Sequence, residues 1–164
     1  MSFAPPRFDL SLTLKTPEHT ADLARRLAPR LRPGDVILLS GPIGAGKTHF
    51  ARALIQARLA ADGRAEDVPS PTFTLVQVYE AGAEIWHADL YRLTSAEEVL
   101  ELGLDEAFET AICLVEWPDR LGGLRPAGAL EVTLMPDAAG EARVARLRSD
   151  SARWDKSLAG ALSA

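Results

Sequence analysis

Residues 41–48 constrain this chain more than any other stretch, because their letters, GPIGAGKT, match the pattern G-x-x-x-x-G-K-[ST]. Glycines allow the backbone to turn consecutive N–H groups toward one anion, and a helix that begins after the loop would point the positive end of its dipole at the same place. Pro42 has no N–H to offer. The pattern predicts a phosphate-binding loop with these contact residues: Gly41, Gly44, Ala45, Gly46, Lys47 and Thr48.

Two side chains of the loop are predicted to have separate roles. Lys47 would reach the β- and γ-phosphates of a nucleotide, which makes it a candidate catalytic residue. Thr48 would place its hydroxyl on Mg²⁺, a cation that prefers hard oxygen ligands and usually keeps nucleotide oxygens and water in its shell. The loop therefore predicts a nucleotide bound together with Mg²⁺.

The residues around the loop fit a strand, a turn and a helix. Residues 35–39 form a short apolar run typical of a buried strand. Phe50, Ala53 and Leu54 lie at helical spacing, and Gly63 is a natural helix end. A glycine-rich turn that binds nothing is the alternative, and this strand-turn-helix setting disfavours it.

Two carboxylates follow apolar runs at the expected ends of strands. Asp89 follows residues 85–88, and Glu116 follows residues 111–115, the better candidate for a central parallel strand. In open α/β sheets ligands bind at the carboxyl ends of strands, the edge that also carries the phosphate loop. One carboxylate can hold Mg²⁺ and the other can orient the attacking water, so both are candidate catalytic residues. A helix cap or a surface salt bridge is the alternative for each.

Residues 67–75 contain two prolines, which predicts an extended loop. A threonine of such a loop can close on Mg²⁺ or a γ-phosphate and release it after hydrolysis, so Thr72 and Thr74 are candidate nucleotide contacts. Alternatively, both threonines start the next strand, expected over 73–80. Trp117 is a candidate contact that could stack on a base or a partner, or cover the sheet edge, and its spacing does not separate these roles.

The remaining elements predict a mixed sheet. Alternating apolar residues over 8–14 predict a strand, and the turn at 81–83 predicts an antiparallel hairpin. A helix beginning at Thr16-Pro17 would carry His19 and Thr20, which could lie beside a nucleotide base, although a capping or surface role is expected. Further strands are expected over 129–135 and 142–147, and a further helix near 94–103. A terminal helix is expected to dock on the sheet through Trp154, Leu158 and Leu162, at i, i+4, i+8. We expect an α/β fold of P-loop NTPase type, a three-layer sandwich with a mixed, partly antiparallel sheet.

Composition narrows the function classes. The 164 residues fit a single domain, 1–164. A net charge of −5 disfavours a broad grip on nucleic-acid phosphates, so any RNA contact is expected through a partner. No apolar run approaches membrane-spanning length and residues 1–7 lack a signal-peptide layout, which predicts a cytoplasmic protein without membrane contact. Cys113 stands alone within an apolar run and is expected to be a buried hydrophobe.

Four blocks of the sequence resemble one family. They are residues 40–48 (SGPIGAGKT), 70–76 (SPTFTLV), 89–93 (DLYRL) and 111–118 (AICLVEWP). Together they resemble the TsaE (YjeE) family of small ATPases, which act in the formation of threonylcarbamoyladenosine in tRNA. The sequence differs from the usual family pattern at Pro42 and Ile43, where Asp-Leu is common, and at Ala88, where an aromatic residue is common.

The resemblance implies a role for each candidate residue. Lys47 and Thr48 would be phosphate and Mg²⁺ contacts, and Glu116 a Mg²⁺ ligand. Asp89 would be the second essential carboxylate, and the 70–76 block would be a switch segment. The resemblance also implies an ATPase that is weak alone and activated by TsaD-like and TsaB-like partners, with tRNA reached only through that complex.

Two other function classes stay open. A small-molecule kinase of shikimate-kinase type has a similar loop but needs an arginine-bearing lid, for which Arg120 and Arg125 are the candidates. A GTP-dependent switch would usually carry Asn-Lys-x-Asp, and the chain contains no asparagine. Arg92 could act on the nucleotide in cis, although a salt bridge to Glu97 and Glu98 is the expected arrangement.

Overall fold

The structure is a computed structural model that describes residues 7–163. The stretch tested for a signal-peptide layout therefore lies, over residues 1–6, outside the described residues. The strands are β1 (Phe8–Leu14), β2 (Val36–Ser40), β3 (Val76–Glu80), β4 (Glu84–Asp89), β5 (Ile112–Glu116), β6 (Leu130–Pro136) and β7 (Arg143–Ser149). The helices are α1 (Pro17–Leu27), α2 (Lys47–Ala61), α3 (Ala96–Glu101), α4 (Leu104–Thr110) and α5 (Lys156–Ser163), with 3₁₀ turns at Ala28–Arg30 and Pro118–Leu124.

The strands form one sheet in the order β1-β7-β6-β2-β5-β4-β3. Its centre is parallel, because β2 pairs with both β5 and β6, and β5 pairs with β4. Its two edges are antiparallel, with β3 against β4 on one side and β7 between β6 and β1 on the other. The predicted mixed sheet is confirmed, and so is the central position of the strand that ends at Glu116.

Helices cover both faces of this sheet. In β2, Ile37 and Leu39 pack in the core that includes α1 and α2, whereas Val36 and Leu38 pack in a second core with α3 and α4. Successive side chains of a strand point to opposite faces, so a strand buried on both faces has to be apolar at nearly every position. The continuous apolar runs of β2 and β5 therefore produce the predicted three-layer sandwich.

The start of α1 follows the sequence expectation. The Thr16 side chain accepts a hydrogen bond from the backbone N–H of His19 at 3.2 Å, and Pro17 lies in the first turn. At the other end of the chain, Trp154, Leu158 and Leu162 are buried and dock the α5 segment on the core. None of the helices in residues 7–163 combines the length and the apolar composition that a membrane-spanning helix needs.

The strand expected over 73–80 begins later, at Val76. The backbone N–H of Leu75 donates to the carbonyl of Pro71 at 2.7 Å, and Leu75 has a φ of +69°. This hydrogen bond closes a turn over the preceding residues, so the extended conformation starts only after Leu75. The alternative in which Thr72 and Thr74 start the strand is therefore wrong.

The helix expected near 94–103 is α3, and a further short helix, α4, follows it. α3 ends at Glu101, and Gly103, at a φ of +82°, allows the chain to change direction before α4. α4 was not predicted from the sequence. Its buried residues Leu104, Ala107 and Phe108 lie at the i, i+3, i+4 spacing that would have predicted it.

Cys113 of β5 is fully buried, and burial, with a smaller contribution from the negative charge of Glu84, raises the pKa of its thiol to about 12. A thiol with this pKa stays protonated at a pH of about 8, and the protonated form is a poor nucleophile. We expect negligible labelling by a thiol-reactive dye at that pH in the native protein, and complete labelling after denaturation in guanidinium. Rapid labelling of native protein would contradict the burial of this strand.

Candidate functional site

The predicted phosphate loop joins β2 to α2. Gly46 is the N-cap of α2, and among the described residues no side chain caps this helix and no acidic residue lies in its first turn. The first N–H groups of a helix have no partner inside the helix, so an uncapped start directs them, with the positive end of the dipole, toward an anion. The start of α2 therefore presents N–H groups that are free to donate to an anion.

Lys47 is the first residue of α2 and is buried. Its ammonium group donates to the carbonyl oxygens of Gly41 at 2.5 Å and Pro42 at 3.1 Å, and it lies 4.0 Å from the centre of the Trp117 ring. Burial lowers the pKa of Lys47, whereas the negative charges of Glu116 and Asp89 oppose that shift. The charge of Lys47 is thus held directly beneath the loop.

Glu116, the last residue of β5, is only 2% exposed. The hydroxyl of Thr48 donates to its Oε1 at 2.7 Å, and Nε2 of His87 lies 2.7 Å from its Oε2. Two hard oxygen atoms, from Thr48 and Glu116, therefore lie side by side at the start of α2. Adjacent ligands of an octahedral Mg²⁺ are about 2.9 Å apart, so the residues present fit such an ion.

Asp89 is the last residue of β4 and lies opposite Glu116 in the parallel pairing of β4 with β5. Its Oδ1 accepts from the backbone N–H of Tyr91 at 3.0 Å, and its Oδ2 accepts from the hydroxyl of Thr72 at 3.4 Å. The two carboxylates share one sheet edge, as the sequence predicts. Asp89 additionally connects that edge to the 67–75 loop.

The two threonines of the 67–75 loop point to different places. Thr72 lines the cavity beside Asp89, and its hydroxyl is 2.7 Å from that of Ser70. Thr74 does not line the cavity, and its hydroxyl accepts from the Gln77 side chain at 2.9 Å. Between them, Phe73 is 84% exposed. The structure therefore brings Thr72, but not Thr74, to the predicted site.

A cavity of about 390 Å³ collects most of the predicted site residues. Its lining comprises Ile43, Gly44, Gly46, Lys47, Thr48, His49, Thr72, Asp89, Tyr91, Glu116 and Trp117. Gly41 is outside the lining and contributes the carbonyl that accepts from Lys47. Ala45 is also outside, because its N–H donates to Pro42 at 3.1 Å and its side chain is buried. Trp117 packs 4.8 Å from the ring of Tyr91 at the cavity wall.

A second cavity, of about 260 Å³, lies on the other side of the phosphate loop and shares Gly44, Gly46 and His49 with the first. Thr20 lines it, whereas His19 does not. The Nδ1 atom of His19 instead accepts from the backbone N–H of Lys15 at 3.2 Å. Of the two residues considered beside a base, only Thr20 is therefore placed next to the loop.

A family model described as "Threonylcarbamoyl adenosine biosynthesis protein TsaE" matches residues 14–145 of this chain. The chain belongs to the TsaE family. The tRNA threonylcarbamoyladenosine biosynthesis protein TsaE of Rickettsia conorii is 43% identical over 123 residues, which are 74% of this chain and 69% of that protein. The protein of the same name from Bacillus subtilis is 37% identical over 120 residues, which are 72% of each chain.

A solved structure confirms the fold of this TsaE family member. A crystal structure of YdiB from Bacillus subtilis is similar with a TM-score of 0.76, at 27% identity and with 94% of each chain covered. The predicted P-loop NTPase-like α/β fold is therefore confirmed. All four blocks that carried the resemblance lie within residues 14–145, whereas the α5 helix lies beyond them.

Arg92, the candidate for acting on the nucleotide in cis, contacts an aromatic ring. The guanidinium carbon of Arg92 lies 5.6 Å from the centre of the Phe73 ring, and within residues 7–163 Arg92 has no ion pair with Glu97 or Glu98. The prediction of a salt bridge between Arg92 and these residues is therefore wrong. Glu98 instead accepts a hydrogen bond from the hydroxyl of Thr94 at 2.8 Å.

The two lid candidates are also engaged in this TsaE family member. Arg120 donates to the carbonyl of Tyr91 at 3.4 Å and pairs with Asp119. Arg125 forms an ion pair with Glu131. Neither arginine lines the 390 Å³ cavity, so the observed arrangement does not favour a kinase lid.

Two residues of the site were missed from the sequence. His87 contacts Glu116. It lies two residues before Asp89 and therefore on the same face of β4, a pattern from which it could have been predicted. Arg143 donates to the carbonyl of Gly44 at 3.4 Å and lines the 260 Å³ cavity. Arg143 lies 99 residues from Gly44 along the chain, and no local pattern predicts their contact.

Gly41 should be the least replaceable glycine of the loop. It has a φ of +145°, and a Cβ at this position would lie 2.3 Å from the backbone oxygen of Leu134 in β6. We expect Gly41→Ala to lower the free energy of unfolding by about 2 kcal/mol or more, measured by urea denaturation.

The matched control is Gly44→Ala. Gly44 has a φ of +81°, but a Cβ there meets nothing within 4 Å. The expected loss in the free energy of unfolding is about 1 kcal/mol, from backbone conformation alone. Equal losses in the two variants would show that the close approach to Leu134 does not constrain the loop.

Proposed function

We propose that this chain, as a single P-loop domain, is a Mg²⁺-dependent ATPase and an accessory protein of the complex that makes threonylcarbamoyladenosine in tRNA. The family to which it belongs is a threonylcarbamoyladenosine biosynthesis family. The observation that carries the ATPase proposal is the pair of Thr48 and Glu116 oxygens, 2.7 Å apart beneath a phosphate loop that also holds Lys47.

The phosphates of ATP would bind at the uncapped start of α2. There the N–H groups that have no partner inside the helix would donate to phosphate oxygens. Lys47 would exchange the carbonyl oxygens of Gly41 and Pro42 for the β- and γ-phosphates, which are stronger acceptors because they are charged. The exchange keeps the ammonium group paired in both states, so its burial is compatible with nucleotide release.

Thr48 and Glu116 are the residues that would hold Mg²⁺. Bound there, the ion would neutralise charge on the phosphate oxygens. Among the described residues there is no group of three or more His, Cys, Asp or Glu that could hold a metal ion. A site with one carboxylate and one hydroxyl suits Mg²⁺, because this ion is usually completed by substrate phosphates and water.

Asp89 would orient the attacking water. Asp89 is 6% exposed and lines the cavity beside Glu116. Asp89 accepts hydrogen bonds from the Tyr91 backbone and from Thr72. Glu116 instead contacts Thr48 and His87. This difference in partners supports different roles for the two carboxylates. Thr72 would report on the γ-phosphate through its contact with Asp89.

The 260 Å³ cavity is our proposal for the base and ribose. This cavity adjoins the 390 Å³ cavity, since Gly44, Gly46 and His49 line both cavities. Thr20, His49 and Arg143 supply polar groups there, and Pro17 and Ala45 supply apolar surface. A small number of polar groups on an apolar wall is typical of a nucleoside pocket.

Substitution of the three charged residues should separate their roles. Lys47→Ala is expected to abolish ATP hydrolysis with an unchanged circular dichroism spectrum. Glu116→Gln is expected chiefly to raise the Mg²⁺ concentration needed for ATP binding. Asp89→Asn is expected to bind ATP and hydrolyse it more slowly by about 100-fold or more. Binding is measured with a fluorescent ATP analogue and hydrolysis by phosphate release.

The control for these variants is Glu101→Gln, which removes an exposed carboxylate of α3 outside the cavity. It should match the parent protein in both assays. Parent-like hydrolysis by Lys47→Ala would remove the loop as the active site. An unchanged Mg²⁺ titration for Glu116→Gln would remove that residue as the metal ligand.

Exposed apolar side chains at the cavity support activation by a protein partner. Ile43 is 77% exposed and Tyr91 45% exposed, and both line the cavity, while Phe73 projects from the adjacent loop. Clustered exposed apolar side chains at a functional site are typical of protein contact surfaces. We propose that TsaD-like and TsaB-like proteins dock here and order the 67–75 loop, with tRNA reached through that complex.

The chain alone should therefore be a slow ATPase. Phosphate release is measured for the protein alone, with tRNA, and with the purified TsaD-like and TsaB-like pair. We expect the pair to stimulate phosphate release at least about tenfold. An ordered site and a positively charged side chain supplied by the partner would both lower the activation barrier of hydrolysis. We expect little effect of tRNA alone, because an acidic chain gains little from counterion release.

Phe73→Ala should reduce the stimulation by the partner pair, whereas Leu100→Ala, which removes an exposed apolar side chain outside the cavity, should not. A fast rate without partners, or full stimulation by tRNA alone, would contradict this part of the proposal and favour a self-sufficient enzyme.

A further inference from the structure

A fully buried histidine contacts the carboxylate proposed as a metal ligand. His87 lies in the middle of β4, and its Nε2 is 2.7 Å from Oε2 of Glu116. A carboxylate can only accept hydrogen bonds, so the hydrogen in this contact lies on Nε2 of His87. The other oxygen of Glu116 accepts from Thr48, so each carboxylate oxygen has its own donor.

The register of the sheet explains why the two residues meet. In the parallel pairing of β4 with β5, His87 lies opposite Leu114 and Asp89 lies opposite Glu116. Residues two apart in a strand share a face, so all four side chains point to the same side of the sheet. Leu114 packs in the core that includes α1 and α2, which places His87 diagonally beside Glu116 on the α2 side.

Packing alone does not account for a histidine at this position. The Nδ1 atom of His87 is buried and has no hydrogen-bond partner in the described part of the chain. An unpaired buried polar atom is unfavourable, and a leucine would fill similar space without one. His87 also does not line the 390 Å³ cavity, so contact with substrate does not account for it either. The hydrogen bond to Glu116 is therefore the contact that explains a histidine at this position.

We propose that His87 is a positioning residue for the metal site, a role that rests on the proposed function of Glu116. By holding Oε2 from within the sheet, it directs Oε1 toward Thr48 and the metal position. The Thr48 contact depends on the phosphate loop and α2, whereas the His87 contact depends on the parallel pairing of β4 with β5. The carboxylate therefore keeps its orientation when the loop rearranges around a nucleotide. Groups that hold a metal ligand in this way affect metal affinity strongly.

Three substitutions at His87 test this role. The amide nitrogen of His87→Gln can reach the position of Nε2, whereas that of His87→Asn is too short and His87→Leu has no donor. We measure the Mg²⁺ concentration at half-maximal binding of a fluorescent ATP analogue, and binding of the same analogue in EDTA. For the Asn and Leu variants we expect the Mg²⁺ midpoint to rise by about 10- to 100-fold. His87→Gln should stay within about threefold of the parent, and binding in EDTA should be unchanged in all three.

The design separates this inference from the function on which it rests. If the parent binds the analogue without any dependence on Mg²⁺, the proposed Mg²⁺ site fails. If the parent depends on Mg²⁺ and folded His87→Leu has the parent's midpoint, only the role of His87 fails. In a Glu116→Gln background, His87→Leu should raise the midpoint no further. A full additional rise there would show that His87 does not act through Glu116.

A measurement on the parent protein covers the case in which the Asn and Leu variants do not fold. Long-range ¹H–¹⁵N spectra report which ring nitrogen carries the hydrogen. Of the three histidines in the sequence, His87 is the buried one. We expect a slowly exchanging hydrogen on its Nε2 in the nucleotide-free protein. A ring without hydrogen on Nε2 cannot donate to Glu116 and would overturn the proposal.

Discussion

The parallel pairing of β2 with β5 is the constraint on which the site depends. It places Leu39 opposite Glu116, so the phosphate loop begins at the same edge of the sheet as the Glu116 carboxylate. The pairing continues one residue beyond β5, because the N–H of Trp117 donates to the carbonyl of Leu39 at 3.3 Å. The neighbouring pairing of β4 with β5 also continues, because the N–H of Leu90 donates to the carbonyl of Glu116 at 3.1 Å. A one-residue slip of β5 would turn Glu116 to the opposite face, away from α2. The apolar side chains that bury both faces of these strands therefore also position the polar site.

Local sequence patterns predicted most of this arrangement. The loop, its strand and its helix follow from glycine spacing and apolar periodicity, and the adjacency of Asp89 and Glu116 follows from the rule that parallel strands end at a common edge. The start of β3 was predicted too early, because the turn that delays it is closed by a backbone hydrogen bond to Pro71 that residue type does not reveal. The direction of Thr74 away from the cavity depends on the same turn.

Contacts between distant segments were the part that the sequence could not supply. Arg92 was expected beside nearby acidic residues, but the 67–75 loop brings Phe73 to it instead. Arg143 reaches the phosphate loop only because the β6–β7 hairpin packs next to β2. His87 could be seen to share a face with Asp89, yet its partner is set by the register with β5. Each of these contacts depends on tertiary structure that propensity and periodicity do not encode.

Two loops with unequal anchoring border the 390 Å³ cavity. The phosphate loop is anchored behind the cavity, because at Gly41 its backbone lies directly against the backbone of Leu134 in β6 and leaves no space for even a methyl group. On the other side, the 67–75 loop meets Asp89 through a single hydroxyl at 3.4 Å and leaves Phe73 in solvent. A synthetic ligand larger than a nucleotide would therefore have to gain its space by displacing this loop. Selectivity against other proteins with the same glycine pattern would come from groups directed toward Thr72 and Phe73, and not from groups that contact the loop glycines.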